Sequence, residues 1–373
     1  MAPPPGELCR SMLDIVAGAV RAYYMFDVAD TIDIARLRTI EGEGLSKAYL
    51  PLRPHASPAY LQFPAPPLLA PLPDAQIDGS TCKVRIKFFD YGVISLRLSI
   101  DAAGPWDEYV KIADRVRTDD RFAAYAQATV ERVCRELGSA LDDPHEALVE
   151  DYFVLEVEQF AQPVSGLALY EEHAQDVAAL LLNERAPLSR SEIDEAFRLR
   201  FSYLVDDLTL VQWDTAFVYD RRDSADAIAD ILEFANSQLL ELRTYDALLD
   251  RELDVIYKAL PGGMSKSLRG RAEAGQAASL RLLIVDVLEL TDRASNALKV
   301  VGDAYYARIY RAASKRLGLS DWQSQIDTKL ESVGDVYRFF SDEARNRRDA
   351  FLELTVIALI AVEVIIGVLT LMR

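Results

Sequence analysis

The final stretch of this chain, Leu354 to Arg373, reads LTVIALIAVEVIIGVLTLMR: an apolar run with a single carboxylate, Glu363, near its middle. Nineteen residues, Leu354 to Met372, rise about 28 Å as an α-helix, which matches a hydrocarbon core of roughly 30 Å. The insertion energies agree. Twelve of these residues are Leu, Ile or Val, each favouring the bilayer by about 0.3–0.6 kcal/mol, against about 3 kcal/mol for one buried charge. So uniform a stripe has no polar face for water, which argues against a buried core helix. The sequence therefore predicts a body tethered to a membrane by one C-terminal span. Arg345, Arg347 and Arg348 precede the span and only Arg373 follows it, so the positive-inside rule places the body in the cytoplasm of a bacterial cell or its organellar equivalent.

At 373 residues the chain is long enough for two units besides the tail. A formal net charge of −18 argues against nucleic acid as a partner, because phosphate binding needs a basic face. Cys9, Cys82 and Cys134 are too scattered for a disulfide framework or a zinc site, and are expected as reduced thiols. The first twenty residues carry Glu7 and Asp14 and lack a sustained apolar core, so they do not read as a signal peptide.

Residues 1–220 read as an α+β domain. AVRAYYMFDV is an expected strand, followed by a short helix over Ile32 to Leu37 entered through Asp30 or Thr31. Eight prolines between Pro51 and Pro73 exclude helix and suggest a packed, extended connection rather than a proline-motif ligand. Lys83 to Ile100 alternates Val84, Ile86 and Phe88, turns around Asp90 to Gly92, and alternates Ile94, Leu96 and Leu98, the clearest hairpin in the chain. A helical stretch from Trp106 to Leu141 is expected next, then a strand over Asp151 to Glu158 and a helix over Leu167 to Asn183. Ser189 and Glu192 form a capping box for a helix to Phe201, and Leu208 to Tyr219 is β-rich.

Residues 221–352 change period. Ile228, Leu232, Ala235, Leu239, Leu242, Asp246, Leu249, Leu253, Ile256 and Leu260 recur at spacings of four and three, a coiled-coil or helical-hairpin seam that Pro261-Gly262-Gly263 ends. A second seam runs from Leu280 to Val301 towards a stop at Gly318, so two long helices should pack antiparallel as a stalk. A third helix starts at Ser320, capped with Gln323, and continues into the span, residues 353–373.

No catalytic, cofactor-binding or metal-binding residues are assigned. His145, among Asp142, Asp143 and Glu146, and His173, after Glu171 and Glu172, read as solvated acidic turns rather than metal ligands. Gly262 to Ser267 lacks the glycine spacing and preceding strand of a phosphate loop. Lys266, Arg269 and Arg271 nevertheless make it a basic loop that could touch lipid headgroups. Glu363, Gly367 and Thr370 share one face of the span, a small and polar stripe suited to packing against another helix.

The C-terminal segment carries Asn346-Arg347-Arg348, Leu352-Glu353 and Val362-Glu363-Val364, and the hairpin contains FFDYGVISL with DYFVLEV beyond it. These stretches resemble the required-for-meiotic-nuclear-division family, of which this would be a divergent member. The resemblance implies a membrane-anchored, oligomeric protein; a mitochondrial relative supports organellar translation, and no catalytic residues come with it. The expected function is a non-enzymatic, self-associating scaffold or tether with the bilayer and an unidentified protein as partners. The rivals are a subunit of an oligomeric channel or transporter, and an enzyme using Asp90, Asp151 or Asp206-Asp207.

Overall fold

In a computed structural model of the chain, the described residues are 13–37, 53–54, 66–259, 302–332 and 334. The strands are β1 (Asp14–Ile32), β2 (Arg53–Pro54), β3 (Leu68–Ile77), β4 (Ser80–Phe88), β5 (Val93–Pro105), β6 (Leu141–Phe160), β7 (Arg200–Phe201), β8 (Leu208–Val211) and β9 (Thr215–Tyr219). The helices are α1 (Ile34–Leu37), α2 (Trp106–Thr118), α3 (Asp120–Leu137), α4 (Gly166–Glu171), α5 (Ala174–Leu182), α6 (Arg190–Ala196), α7 (Arg222–Ala259) and α8 (Ala304–Arg316). Residues 319–332 are helical as well.

The N-terminal part is an α/β domain built on one sheet, ordered β2-β3-β4-β5-β1-β6-β9-β8-β7, in which β2 is a two-residue edge pairing. All neighbours are antiparallel except β6 and β9. β1 occupies the middle because both of its faces are apolar, the pattern of a strand covered on both sides. Its Val20, Ala22, Tyr24 and Phe26 join a core with Trp106, Tyr109, Phe122 and Val130 of α2 and α3. Tyr23 and Met25 face the other way, into a second core with Ile228, Leu232 and Leu239 of α7 and with Ile309 and Tyr310 of α8.

The sequence reading locates the strands more accurately than their ends. The β4–β5 hairpin and its turn lie where the alternation places them, and Ser189 accepts the Glu192 N–H at 3.3 Å to cap α6, although that helix stops at Ala196 and Phe201 falls in β7. The expected helix from Trp106 to Leu141 is two helices, because Asp119 leaves helical dihedrals and its carboxylate caps the Arg121 N–H that opens α3. β6 begins at Leu141, earlier than expected, and extends β1 pairing to Ile32↔Leu141. The helix expected over Leu167 to Asn183 breaks at His173 and stops at Asn183, which adopts left-handed dihedrals. α1 is entered through Asp33, whose carboxylate accepts the Arg36 N–H at 2.9 Å, and not through Asp30 or Thr31.

The expected seam along α7 is also modified. Ile228, Leu232, Ala235, Leu239 and Leu242 are buried, but so are Ala229, Ile231, Phe234 and Leu240. A helix buried all round is a core helix, and the first half of α7 accordingly packs on the sheet instead of starting a separate stalk at residue 221. Described residues up to 244 and from 302 to 322 form one compact unit; those from 245 to 259 and from 323 onward belong to a second. α8 ends at Arg316 before Gly318 at φ +65, the expected stop, but it does not continue the second seam: residues 302–303 are not helical, and Asp303 caps a helix that begins at Ala304. The third helix begins at residue 319, one residue ahead of the expected Ser320 cap.

The second seam, the basic loop of Lys266, Arg269 and Arg271, the arginines Arg345, Arg347 and Arg348, and the span with Glu363, Gly367 and Thr370 lie outside the described residues. Among the described residues no helix is long and apolar enough to cross a membrane.

Candidate functional site

Two rungs of the β4–β5 ladder carry the polar chemistry of the domain. Arg85 stands opposite Arg97, and Lys87 opposite Ser95. The intervening Val84, Ile86, Leu96 and Leu98 point into the first core, so these four share the second face of the sheet. Continuing across, Arg97 is opposite Tyr23 on β1, Arg21 lies two residues away, and Glu156 of β6 projects on the same side. Over them runs the first part of α7, where Asp223, Asp226, Asp230 and Glu233 recur at spacings of three and four and make one acidic stripe.

Most of these charges are paired. Arg21, only 4% exposed, is paired with Glu156 and, at 2.5 Å, with Asp226. Lys87 is paired with Asp230 at 3.0 Å and with Glu233. Burying a single cation in such a place costs several kcal/mol, roughly, unless partners offset it. The double pairing does so: burial opposes the Lys87 charge, but Asp230 and Glu233 outweigh it and hold the ammonium above its ordinary pKa. Glu156 behaves in the opposite way. Neither of its oxygens receives a well-directed hydrogen bond, and burial pushes its pKa up to about 7 against the pull of Arg21.

Arg85 and Arg97 are the exceptions. Neither has a carboxylate partner among the described residues; Arg97 donates to the Tyr23 hydroxyl at 3.5 Å and lies 5.9 Å from that ring's centroid. Like charges directly opposite on neighbouring strands destabilise the pair. Although the Arg85 side chain reaches solvent, partial desolvation first and the Arg97 charge second lower its pKa. Ser95 beside them is 1% exposed, and its hydroxyl has no hydrogen-bond partner among the described residues. All three border a cavity of about 470 Å³, with Tyr23 on the sheet side and Asp223, Ser224 and Tyr306 across from it. That volume falls within the range of about 300–1,000 Å³ usual for small-molecule sites.

Residues 17–226, more than half of the chain and nearly all of the sheet that builds this cavity, match the family described as "Uncharacterized protein MJ0711, N-terminal domain". The chain belongs to this family. A curated relative is the uncharacterized protein MJ0711 of Methanocaldococcus jannaschii, 24% identical over 223 residues, which are 59% of this chain and 66% of that protein. The matched part thus spans just under two thirds of the relative. No solved structure matches the chain. The family is divergent and uncharacterised, and its matched region takes in Arg21, Arg85, Lys87, Ser95, Arg97, Asp223 and Asp226 while ending before Asp230 and Glu233.

None of the cavity residues was singled out from the sequence. Two signals were there to be read: Lys83, Arg85 and Lys87 alternate with apolar residues, so one face of that strand had to be basic, and the α7 acids recur at helical spacing. The acids considered for an enzyme do not meet at the cavity. Asp207 instead accepts the N–H groups of Tyr203 at 2.8 Å and Leu204 at 2.5 Å and shapes their loop. Nor are the histidines solvated turns. His145 lies 3.4 Å from the buried Asp27, and His173 is 3% exposed and 3.7 Å from Asp176. Among the described residues no cluster is suited to a metal ion.

Proposed function

We propose that this chain is a membrane-tethered binding protein whose N-terminal domain holds a small anion between its sheet and α7. The observation that carries the reading is the Arg85–Arg97 rung: two adjacent guanidinium groups, without carboxylate partners among the described residues, at the edge of a cavity. An anion seated there would relieve the like-charge opposition and satisfy both planar forks. Binding is favoured over catalysis because Lys87 is held charged and so is no nucleophile, while Ser95 has no base hydrogen-bonded to it.

The tether belongs to the same proposal. It is supported by the apolar run from Leu354, the arginines before it, and the resemblance of the C-terminal segment to the membrane-anchored required-for-meiotic-nuclear-division family. In this reading the body faces the cytoplasm and the Glu363, Gly367 and Thr370 stripe packs copies of the span together, as a scaffold or tether would require.

Thermal unfolding of the purified full chain tests the binding function. At fixed ionic strength, an anion present at a hundred times its dissociation constant should stabilise the folded chain by about 2.7 kcal/mol. The Arg85→Ala chain, weakened about tenfold or more, should lose about half of that gain or more at the same concentration while keeping its own unfolding transition. If no member of a panel of phosphates, sulfate and carboxylates shifts the transition beyond a chloride control, the reading is wrong.

A further inference from the structure

Resting on that reading, we infer that the ligand is a phosphate monoester that also carries an amine. Its phosphate would lie on Arg85, Arg97 and Ser95, and its ammonium against Asp223.

Direct ion pairs divide the charges at the cavity into two groups. Arg21 is held by two acids, Glu156 and Asp226, and Lys87 by two more, Asp230 and Glu233; the acids in excess, Asp226 and Glu233, act on Arg85 and Arg97 only at longer range, without an ion pair. What borders the cavity without an ion-pair partner among the described residues is two cations on one wall, Arg85 and Arg97, and one acid on the other, Asp223. A carboxylate ligand would answer one of the two guanidinium charges and leave its neighbour opposed. A phosphate monoester carries close to two negative charges at neutral pH, since its second pKa is about 6. It also offers three peripheral oxygens, and this wall offers three donors: two guanidinium forks and the buried, unpartnered hydroxyl of Ser95.

The fixed registers make the three donors a built site rather than a chance cluster. Arg85 and Arg97 oppose each other on adjacent strands, and Ser95 is two residues along β5 from Arg97, hence on the same face. Asp223 lies in the first turn of α7 and is exposed at the mouth of the cavity. An ammonium there would complete the charge match that the phosphate begins, whereas a bare anion in the same cleft would leave Asp223 unanswered.

Titration calorimetry on the full chain at about pH 7.5, where the monoester is a dianion, decides the matter with four soluble probes: O-phosphoethanolamine, inorganic phosphate, acetate and ethanolamine. O-phosphoethanolamine should bind about tenfold more tightly than inorganic phosphate, the usual worth of one charged hydrogen bond. Asp223→Asn should erase that advantage without weakening inorganic phosphate. Arg85→Ala, a change at an exposed position, should weaken both phosphate compounds by about tenfold or more, and Arg97→Lys should weaken them while keeping the charge. Vesicles containing phosphatidylethanolamine, whose phosphate is a singly charged diester, should not compete with the soluble compound. Acetate binding as tightly as phosphate, equal affinity for the two phosphate compounds, or preference for the vesicles would each overturn this ligand class while leaving the anion site standing. No binding of any anion to the folded chain would overturn the site as well.

Discussion

Arg21 shows how one buried cation ties the centre of the sheet to α7, through Glu156 of β6 and Asp226 of the helix. Arg21 is a cation in the most apolar strand of the domain, and it is tolerated because Glu156 on one side and Asp226 on the other both reach it. Its two partners are unequal. Glu156 is fully buried and its pKa lies at about 7, raised by desolvation from an ordinary 4.5. The folded state therefore favours the protonated acid. This contribution to stability is complete below about pH 4.5 and is lost as the pH rises through 7, at about 1.4 kcal/mol for each tenfold change in proton affinity between the unfolded and folded chain. Replacing Glu156 by Gln leaves Asp226 to hold Arg21 and removes the ionisation. Urea unfolding at pH 5 and pH 8 should then show the pH dependence reduced by about 2–3 kcal/mol relative to the unaltered chain. An unchanged difference between the two pH values would mean that Glu156 is ionised throughout.

At the scale of elements, the β4–β5 hairpin is the part on which the candidate site depends, and its turn is fixed by one glycine. Gly92 has φ +89, and a Cβ there would meet the Ala29 carbonyl oxygen at 1.7 Å. The contact exists because the turn docks on the end of β1, where the Val28 and Ile32 N–H groups donate to the carbonyls of Gly92 and Asp90 at 3.1 and 2.9 Å. Gly92→Ala must move backbone, and is expected to cost about 3 kcal/mol or more. Gly79→Ala separates the causes: its φ of +73 is also left-handed, but a Cβ there meets nothing within 4 Å. It should cost only about 1–2 kcal/mol. Similar losses for the two variants in denaturant titrations would show that the close approach to Ala29 is unimportant. The hairpin was legible in the sequence because alternation, a glycine turn and β-branched residues all agree over a short span. The break at Asp119 was less so, since the apolar periodicity runs on through α2 and α3 and only the cap, a local side-chain hydrogen bond, ends one helix and begins the next. The site was illegible for a different reason. Arg85, Arg97 and Asp223 look like ordinary exposed charges until the fold lays a period-two strand under a period-3.6 helix, and that juxtaposition is a tertiary fact.

For the whole molecule, a formal net charge of −18 and a set of shifted groups point the same way in pH. Glu150, Asp151 and Asp220 are raised like Glu156, each chiefly by burial. His145 is raised chiefly by its hydrogen bond to Asp27. Every one of these groups contributes stability that is present below its unfolded pKa and lost as the pH rises through its folded one. The carboxylates act from about pH 4 upward, and the histidine above about pH 6.5. Asp119 and Glu195, lowered by hydrogen bonds from Arg121 and Arg316, act oppositely, but their effect is confined to acid pH, where falling pH protonates them. Between about pH 5 and 8 the thermal midpoint should therefore fall as the pH rises, instead of passing through the maximum common in that interval. Self-repulsion of an acidic chain predicts the same direction, and salt separates the two causes. Repulsion between exposed charges is screened beyond a Debye length of about 3 Å at 1 M salt, whereas burial of Glu156 is not. A decline from pH 5 to 8 that persists at high salt in the unaltered chain and flattens in the Glu156→Gln chain assigns it to buried acids. A decline abolished by salt alone would assign it to the net charge, and Glu156 would then have no special part in it.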